Sequence, residues 1–214
     1  MTRIGLVSDT HCPEFLDTLP RPLIQRLRGV DQILHCGDVG GPGGSTTLRA
    51  LERIAPVTAV RGDHDRDLEV DLPDRVELTV DGVRLAMVHG NRSHAIEEPV
   101  TFLSTISLGR VTVRRPGQRA WLRRQFPRAD VIVFGHTHSA YVAEHEGALL
   151  INPGPVYQVT PEAARHRLAA GPGWFEWTWL QVARHRVDQP ISSVGILEVG
   201  GERPRVTIHR LARP

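Results

Sequence analysis

The chain has 214 residues, 40% hydrophobic and 23% charged, which is the balance of an ordinary folded protein rather than a disordered tail or a fibre. Its formal charge is only +2, its basic side chains apart from histidine are all arginine, and its two cysteines are too few for a disulfide framework. These facts exclude a lysine-bearing phosphate loop and a catalytic lysine, argue against a strongly basic nucleic-acid binder, and make a reducing, cytoplasmic setting the expectation.

In chain order, Ile4–Ser8 is an apolar run that predicts a strand buried on both faces. Leu19–Arg28 has helical spacing with Pro20 and Pro22 near its start, and Gln32–Cys36 predicts a second strand. The Gly40–Gly44 stretch reads as a flexible rim and leads into a helix over Ser45–Ile54, with Ser45 as its expected N-cap. Pro56–Val60 predicts a third strand. Arg75–Val80 and Val83–Val88 flank Asp81-Gly82, a hairpin turn signal, with Leu85–Val88 the apolar part of the second arm.

Arg92–Arg128 is mainly helical in character and reads as an insert. Val131–Phe134 predicts another buried strand, and Tyr141–His145 with Ala148–Asn152 a hairpin around Glu146-Gly147. A second insert over Thr160–Pro190 begins as a helix and turns at Gly171-Pro172-Gly173. Its Trp174, Trp177 and Trp179 fit a core or subunit contact, hence a homo-oligomer, better than base stacking. Val194–Val199 and Arg205–Arg210 form a last hairpin. The pattern predicts an α/β fold, a four-layer α-β-β-α sandwich of two mixed sheets flanked by helices with a helical cap insert, as a single domain over residues 1–214.

All five apolar strands run into polar residues able to bind a metal. These are Asp9-Thr10-His11, Gly37-Asp38, Gly62-Asp63-His64-Asp65, His89-Gly90 and Gly135-His136-Thr137-His138. In parallel-type sheets the ligand crevice lies beyond the carboxyl ends of the strands. On extended backbone, residues i and i+2 point the same way, so Asp9 with His11 and His136 with His138 are expected to share one site. Alone, Asp38 would read as a turn former and any one histidine as a hydrogen-bonded core or surface residue. Five strand ends carrying such groups in order do not read that way. Mixed carboxylate and imidazole ligation suits manganese, iron, cobalt, nickel or zinc.

These blocks, in this order, resemble those of the calcineurin-like metallophosphoesterase superfamily, and Asn152-Pro153-Gly154 resembles its small single-domain bacterial and archaeal phosphodiesterase branch. The resemblance covers residues 1–158 and resumes at Ser192–Leu197. It implies a phosphoesterase, a phosphodiesterase in the first instance, with two divalent or mixed-valence transition-metal ions, manganese foremost. Asp38 would bridge them; one ion would take Asp9, His11 and His138, the other Asp63, His89 and His136. A metal-bridging hydroxide would attack phosphorus in line, His64 would protonate the leaving group, and Asp65 would hold the His64 ring in the useful tautomer. Three residues depart from the family pattern. Asp63 stands where Asn is usual, adding a negative charge that disfavours a dianionic monoester. Asn91 stands where a His often follows His89-Gly90. Cys12 stands where a small Gly is common; it and Cys36 are expected to be buried structural thiols.

The implied partner is a small phosphate ester, a nucleotide among the candidates. No membrane partner is expected, since no apolar run approaches about 20 residues and Asp9 interrupts the apolar start before a signal peptide can develop. A nuclease or nucleotide phosphatase of the same fold is the alternative. It draws on the acid-free run with Arg110, Arg114, Arg115, Arg119, Arg123, Arg124 and Arg128, which would steer an anion if the insert overhangs the crevice. A non-catalytic metal-binding scaffold, like the metallophosphoesterase-like subunit of the retromer coat, should have lost His64 or several ligands, and here all are present.

Overall fold

In the computed structural model, the described residues are 1–91, 117–173, 177, 180–181, 183–184 and 191–211. They divide into two compact units: Met1–Gly90, Arg119–Tyr157 and Ile191–Pro214 in one, and Asn91–Gln118 with Gln158–Pro190 in the other.

The first unit holds two five-stranded mixed sheets. One has the order β10-β9-β1-β2-β3, from β1 (Thr2–Val7), β2 (Gln32–His35), β3 (Val57–Ala59), β9 (Ser193–Val199) and β10 (Arg205–Arg210). Its β1, β2 and β3 run parallel, with β9 antiparallel to β1. The other has the order β4-β5-β6-β8-β7, from β4 (Arg75–Val80), β5 (Val83–Val88), β6 (Val131–Val133), β7 (Tyr141–His145) and β8 (Ala148–Asn152). Here β5, β6 and β8 are parallel and the two edge strands are antiparallel to their neighbours.

Alternation along the strands sets the layers. Ile4, Leu6 and Leu34 of the first sheet join Leu85, Met87, Val131, Val133 and Ile151 of the second in one fully buried cluster. Val7 and Ile33 point the other way, onto Leu23 of α1 (Arg21–Arg26) and Leu51 of α2 (Ser45–Glu52). Across the second sheet, Ala86, Ile132 and Leu150 pack on Leu122 of α3 (Gln118–Gln125) and on Phe126 beyond it. Each such side chain contributes about 1.5–3 kcal/mol of burial, so the α-β-β-α order follows from which residues of each strand are apolar.

Ser45 is the first helical residue of α2 rather than its cap; Gly44 holds the cap position without a side-chain bond. The Glu69 carboxylate supplies the acceptor instead, taking the N–H groups of Gly43 and Ser45. In the second unit, α4 (Pro161–Ala169) starts at Thr160, whose hydroxyl accepts from Ala163 N at 3.1 Å, and Ala164 packs with Leu180 and Ala183.

Most of the first predicted insert, including Arg110, Arg114 and Arg115, lies outside the described residues, as do Trp174 and Trp179. Trp177 is 47% exposed and so is not a core residue of this chain. Two of the remaining arginines have local tasks. Arg123 donates to the carbonyls of Phe126 and Ala129, and the Arg119 guanidinium lies 4.8 Å from the centre of the Tyr141 ring. Among the described residues no helix is long and apolar enough to cross a membrane.

Candidate metal centre

The polar blocks sit just past the carboxyl ends of β1, β2, β3, β5 and β6, all in the first unit. They do not continue as extended strand. β1 stops at Val7 and β6 at Val133, and Asp9, His11, Asp38, His136 and His138 all have left-handed φ values between 44° and 64°. The i, i+2 convergence expected from extended backbone is therefore replaced by strained turns. Only two other non-glycine residues, Asp81 and Glu146, share this conformation among the described residues, and both precede the glycine of a hairpin turn. Strain of this kind costs about 1–3 kcal/mol per residue and persists where the surroundings hold it for a purpose.

The turns bring seven side chains together in two adjoining groups. Ligand atoms of Asp9, His11, Asp38 and His138 lie within 4.8 Å of one another, and so do those of Asp63, His89 and His136. Asp38 joins the groups. Its Oδ2 is 3.6 Å from His11 Nε2 and 3.3 Å from His89 Nε2. His138 Nε2 is 3.3 Å from Asp9 Oδ1, while Asp63 Oδ1 takes His89 Nε2 at 2.8 Å and His136 Nδ1 at 3.2 Å. Asp9, His11, Asp38 and His89 are almost fully buried.

Neighbouring groups orient these rings. His89 Nδ1–H donates to the Cys36 carbonyl at 2.7 Å, which leaves Nε2 facing the carboxylates. Asp9 accepts from the Ser8 hydroxyl and from His136 N–H. Asn152, from the Asn-Pro-Gly phrase, donates to the Gly135 carbonyl at 2.8 Å and to Thr137 Oγ1 at 3.0 Å, and its own oxygen accepts from Gly154 N at 2.8 Å. It thereby ties down the turn that carries His136 and His138.

Electrostatics follow from packing carboxylates among imidazoles. Burial pushes the Asp9, Asp38 and Asp63 carboxyls up, but the histidines beside them win and hold all three below the ordinary range. Burial opposes charge on His89, yet Asp38 and Asp63 raise it well above a free imidazole.

His64 and Asp65 behave differently from expectation. Asp65 does not hold the His64 ring. Its buried carboxylate accepts the N–H groups of Val39 (2.9 Å), Gly40 (3.3 Å) and Gly62 (2.9 Å), stitching the loop after β2 to the loop after β3. The His64 ring instead meets Glu14, Nδ1 to Oε1 at 3.0 Å, and the hydrogen bond to Glu14 raises it to about 9. The other Glu14 oxygen lies 3.0 Å from His11 Nδ1. Burial raises the Glu14 carboxyl, but the two imidazoles bring it down to about 2. Glu14 carried no sequence signal, because nothing in the spacing of Glu14 and His64 points to a contact across 50 positions. His64 also donates its backbone N–H to Asp38 Oδ1 at 2.9 Å.

The donor set fits a cation. His11 Nε2 is buried, faces Asp38 Oδ2 and has no hydrogen-bond partner, while its Nδ1–H is committed to Glu14. A lone pair placed so is costly unless an electrophile takes it. Carboxylate and imidazole donors together select first-row transition ions over hard alkaline-earth ions. Cys12 and Cys36 are buried and free, and burial raises both thiols, which disfavours the nucleophilic thiolate.

A family model for the calcineurin-like phosphoesterase superfamily domain matches residues 2–169. A probable metallophosphoesterase from Methanothermobacter thermautotrophicus is 30% identical over 152 residues, spanning 71% of this chain and 75% of that protein. A phosphodiesterase from Methanocaldococcus jannaschii is 24% identical over 169 residues, spanning 71% of this chain and 82% of that one. Among solved structures, wild-type Vps29 from Entamoeba histolytica, complexed with zinc, aligns with a TM-score of 0.61 at 19% identity over 98% of each chain; at that identity the likeness is one of fold.

Proposed function

The chain belongs to the calcineurin-like phosphoesterase superfamily and is a metal-dependent phosphoric ester hydrolase, and from that premise we propose that it cleaves phosphodiesters at a centre of two cations sharing Asp38. The observation that carries this reading is the single oxygen, Asp38 Oδ2, lying near His11 Nε2 on one side and His89 Nε2 on the other. One cation would be held by Asp9, His11, Asp38 and His138, the other by Asp38, Asp63, His89 and His136. The mixed donor set suits manganese first, with iron, cobalt, nickel and zinc able to replace it. When bound, the pair lowers the pKa of coordinated water and neutralises charge developing on the phosphate.

The chain's own residues supply the rest. His64 is 41% exposed at its side chain and stands beside Asp38 and Asp63, so it can reach a substrate held at the centre and give its proton to the leaving oxygen. The three carboxylates of Asp9, Asp38 and Asp63 would offset most of the charge of two divalent cations, leaving little positive charge for an anionic substrate. A singly charged diester suffers less from it than a doubly charged monoester. The substrate class is thus a small phosphodiester.

Elemental analysis and turnover test this directly. Untreated protein is expected to hold two equivalents of transition metal and to hydrolyse bis(p-nitrophenyl) phosphate faster than p-nitrophenyl phosphate, with chelation abolishing both. Asp38→Ala should lose both equivalents. His64→Ala should keep its metals and lose about 10²–10⁴ in rate on a diester whose leaving group needs a proton, such as methyl phenyl phosphate. Retention of diesterase activity with a single bound ion would end the two-cation reading.

A further inference from the structure

Glu14 lies in the turn after His11, where the N–H groups of Phe15 and Leu16 both bond back to the His11 carbonyl, at 2.7 and 3.2 Å. That turn folds the Glu14 side chain over two rings. Its Oε2 is 3.0 Å from His11 Nδ1 and its Oε1 is 3.0 Å from His64 Nδ1. The rings stand edge to face, their centres 4.7 Å apart. An ionised carboxylate can only accept, so each Nδ1 must carry its hydrogen and each Nε2 is the nitrogen left for chemistry. For His11 that nitrogen faces Asp38.

We propose that Glu14 is the positioning residue of the leaving-group acid, fixing His64 with Nδ1 protonated and Nε2 presented to the ester, and tying that ring to His11. This rests on His64 being the acid. Asp65, the neighbour in sequence, is barred from the task by its three backbone bonds. As the P–O bond breaks, its electron pair stays on the leaving oxygen, which takes the proton from His64 Nε2. The ring is left neutral with its Nδ1–H still on Glu14, which gains no proton. Glu14 is 27% exposed at its side chain, so replacing it empties no core volume.

The test compares methyl p-nitrophenyl phosphate, whose leaving group departs unaided, with methyl phenyl phosphate, whose leaving group needs the proton. Glu14→Ala, and Glu14→Gln as the companion of equal size, should lower kcat on the phenyl ester by about 10–100-fold. On the nitrophenyl ester, assayed at saturating metal because Glu14 also holds His11 Nδ1, the loss should stay below about threefold with KM unchanged. His64→Ala should show the same selectivity more strongly, and the double variant should be no slower than His64→Ala alone. Histidine ¹⁵N NMR on the chelated protein, recorded above about pH 9 where the ring is neutral, gives a readout apart from turnover: His64 should keep its proton on Nδ1 in the parent and lose that preference in Glu14→Ala. Equal losses on both esters in the Glu14 variants at saturating metal would overturn the assignment. So would an unchanged ¹⁵N spectrum. Equal losses on both esters in His64→Ala would instead remove the acid itself, and the two failures are distinct.

Discussion

His35 and Thr10 meet at 3.0 Å, Nε2 to Oγ1, with both side chains sealed from water. Thr10 gives its one hydroxyl proton to the Val39 carbonyl at 2.7 Å, so the ring is the donor and its Nδ1 is left buried without a partner. A second proton would have to sit on that Nδ1. Burial accordingly brings the ring down to about 4, against the pull of Asp65 and Asp9. The unfolded chain takes up this proton below about 6.5, the folded chain only below about 4. Stability from the neutral ring is thus complete above the unfolded value and is lost as pH falls towards the folded one, by about 3 kcal/mol in all. Denaturant unfolding of chelated protein across this window should show the slope, and His35→Gln should flatten it whatever its absolute stability. Identical slopes in the two proteins would mean that the ring titrates as if in water.

Asp63→Asn separates charge from ligation. The amide keeps an oxygen where Asp63 Oδ1 now faces His89 and His136, but removes one negative charge from a centre that holds three. The ratio of kcat/KM for p-nitrophenyl phosphate to that for bis(p-nitrophenyl) phosphate should rise about 3–10-fold, with some loss of metal affinity. A ratio that stays flat would show that the third carboxylate does not set the preference between mono- and diesters.

Asn152 offers a third measurement. Its amide supports the Gly135 carbonyl and Thr137 hydroxyl, and its oxygen holds Gly154 N–H. Asn152→Ala leaves the buried Gly154 N–H without its acceptor and takes from the Gly135 carbonyl one of its two donors, at about 1–3 kcal/mol. It also loosens the turn that carries His136 and His138, and metal affinity should fall about 10–100-fold. Stability lost without any change in metal affinity would make Asn152 a structural clamp only.

How much of this is legible in the residues themselves depends on the range of the interaction. Ile4–Val7, Gln32–His35 and Val131–Val133 read correctly because burial on both faces leaves a contiguous apolar run. The polar blocks come together as expected because strand ends of a parallel sheet converge. What fails is what depends on backbone angle or distant pairing. Left-handed φ at Asp9, His11 and Asp38 has no compositional mark, since these residues are tolerated there without being required. Asp65 looks like the partner of His64 because it is adjacent, whereas the real partner comes from the turn after β1 and the real role of Asp65 is to bond three N–H groups. Glu69 in place of Ser45 at the start of α2 is the same lesson across 24 residues.

The glycines beside the ligands test whether shape or chemistry limits the centre. Gly62 is not in a left-handed conformation, so its need is for space: a Cβ there would overlap Asp38 Oδ1 and the Asp38 backbone nitrogen. A backbone atom cannot turn aside as a flexible side chain does, so Gly62→Ala must push the loop after β3 away from the loop after β2. The packing penalty is about 1–3 kcal/mol. Displacing Asp38 by even a fraction of an ångström disturbs both groups of ligand atoms, because both include it or face it. Gly62→Ala is therefore expected to remain folded, to bind markedly less metal, and to lose about 10²-fold or more in turnover. Gly201→Ala is the control, since a Cβ there meets nothing within 4 Å; it should change stability by no more than about 0.5 kcal/mol. Full metal content and normal turnover in Gly62→Ala would mean that the Asp38 loop yields easily, and that the close fit at this strand end is not what holds the shared carboxylate in place.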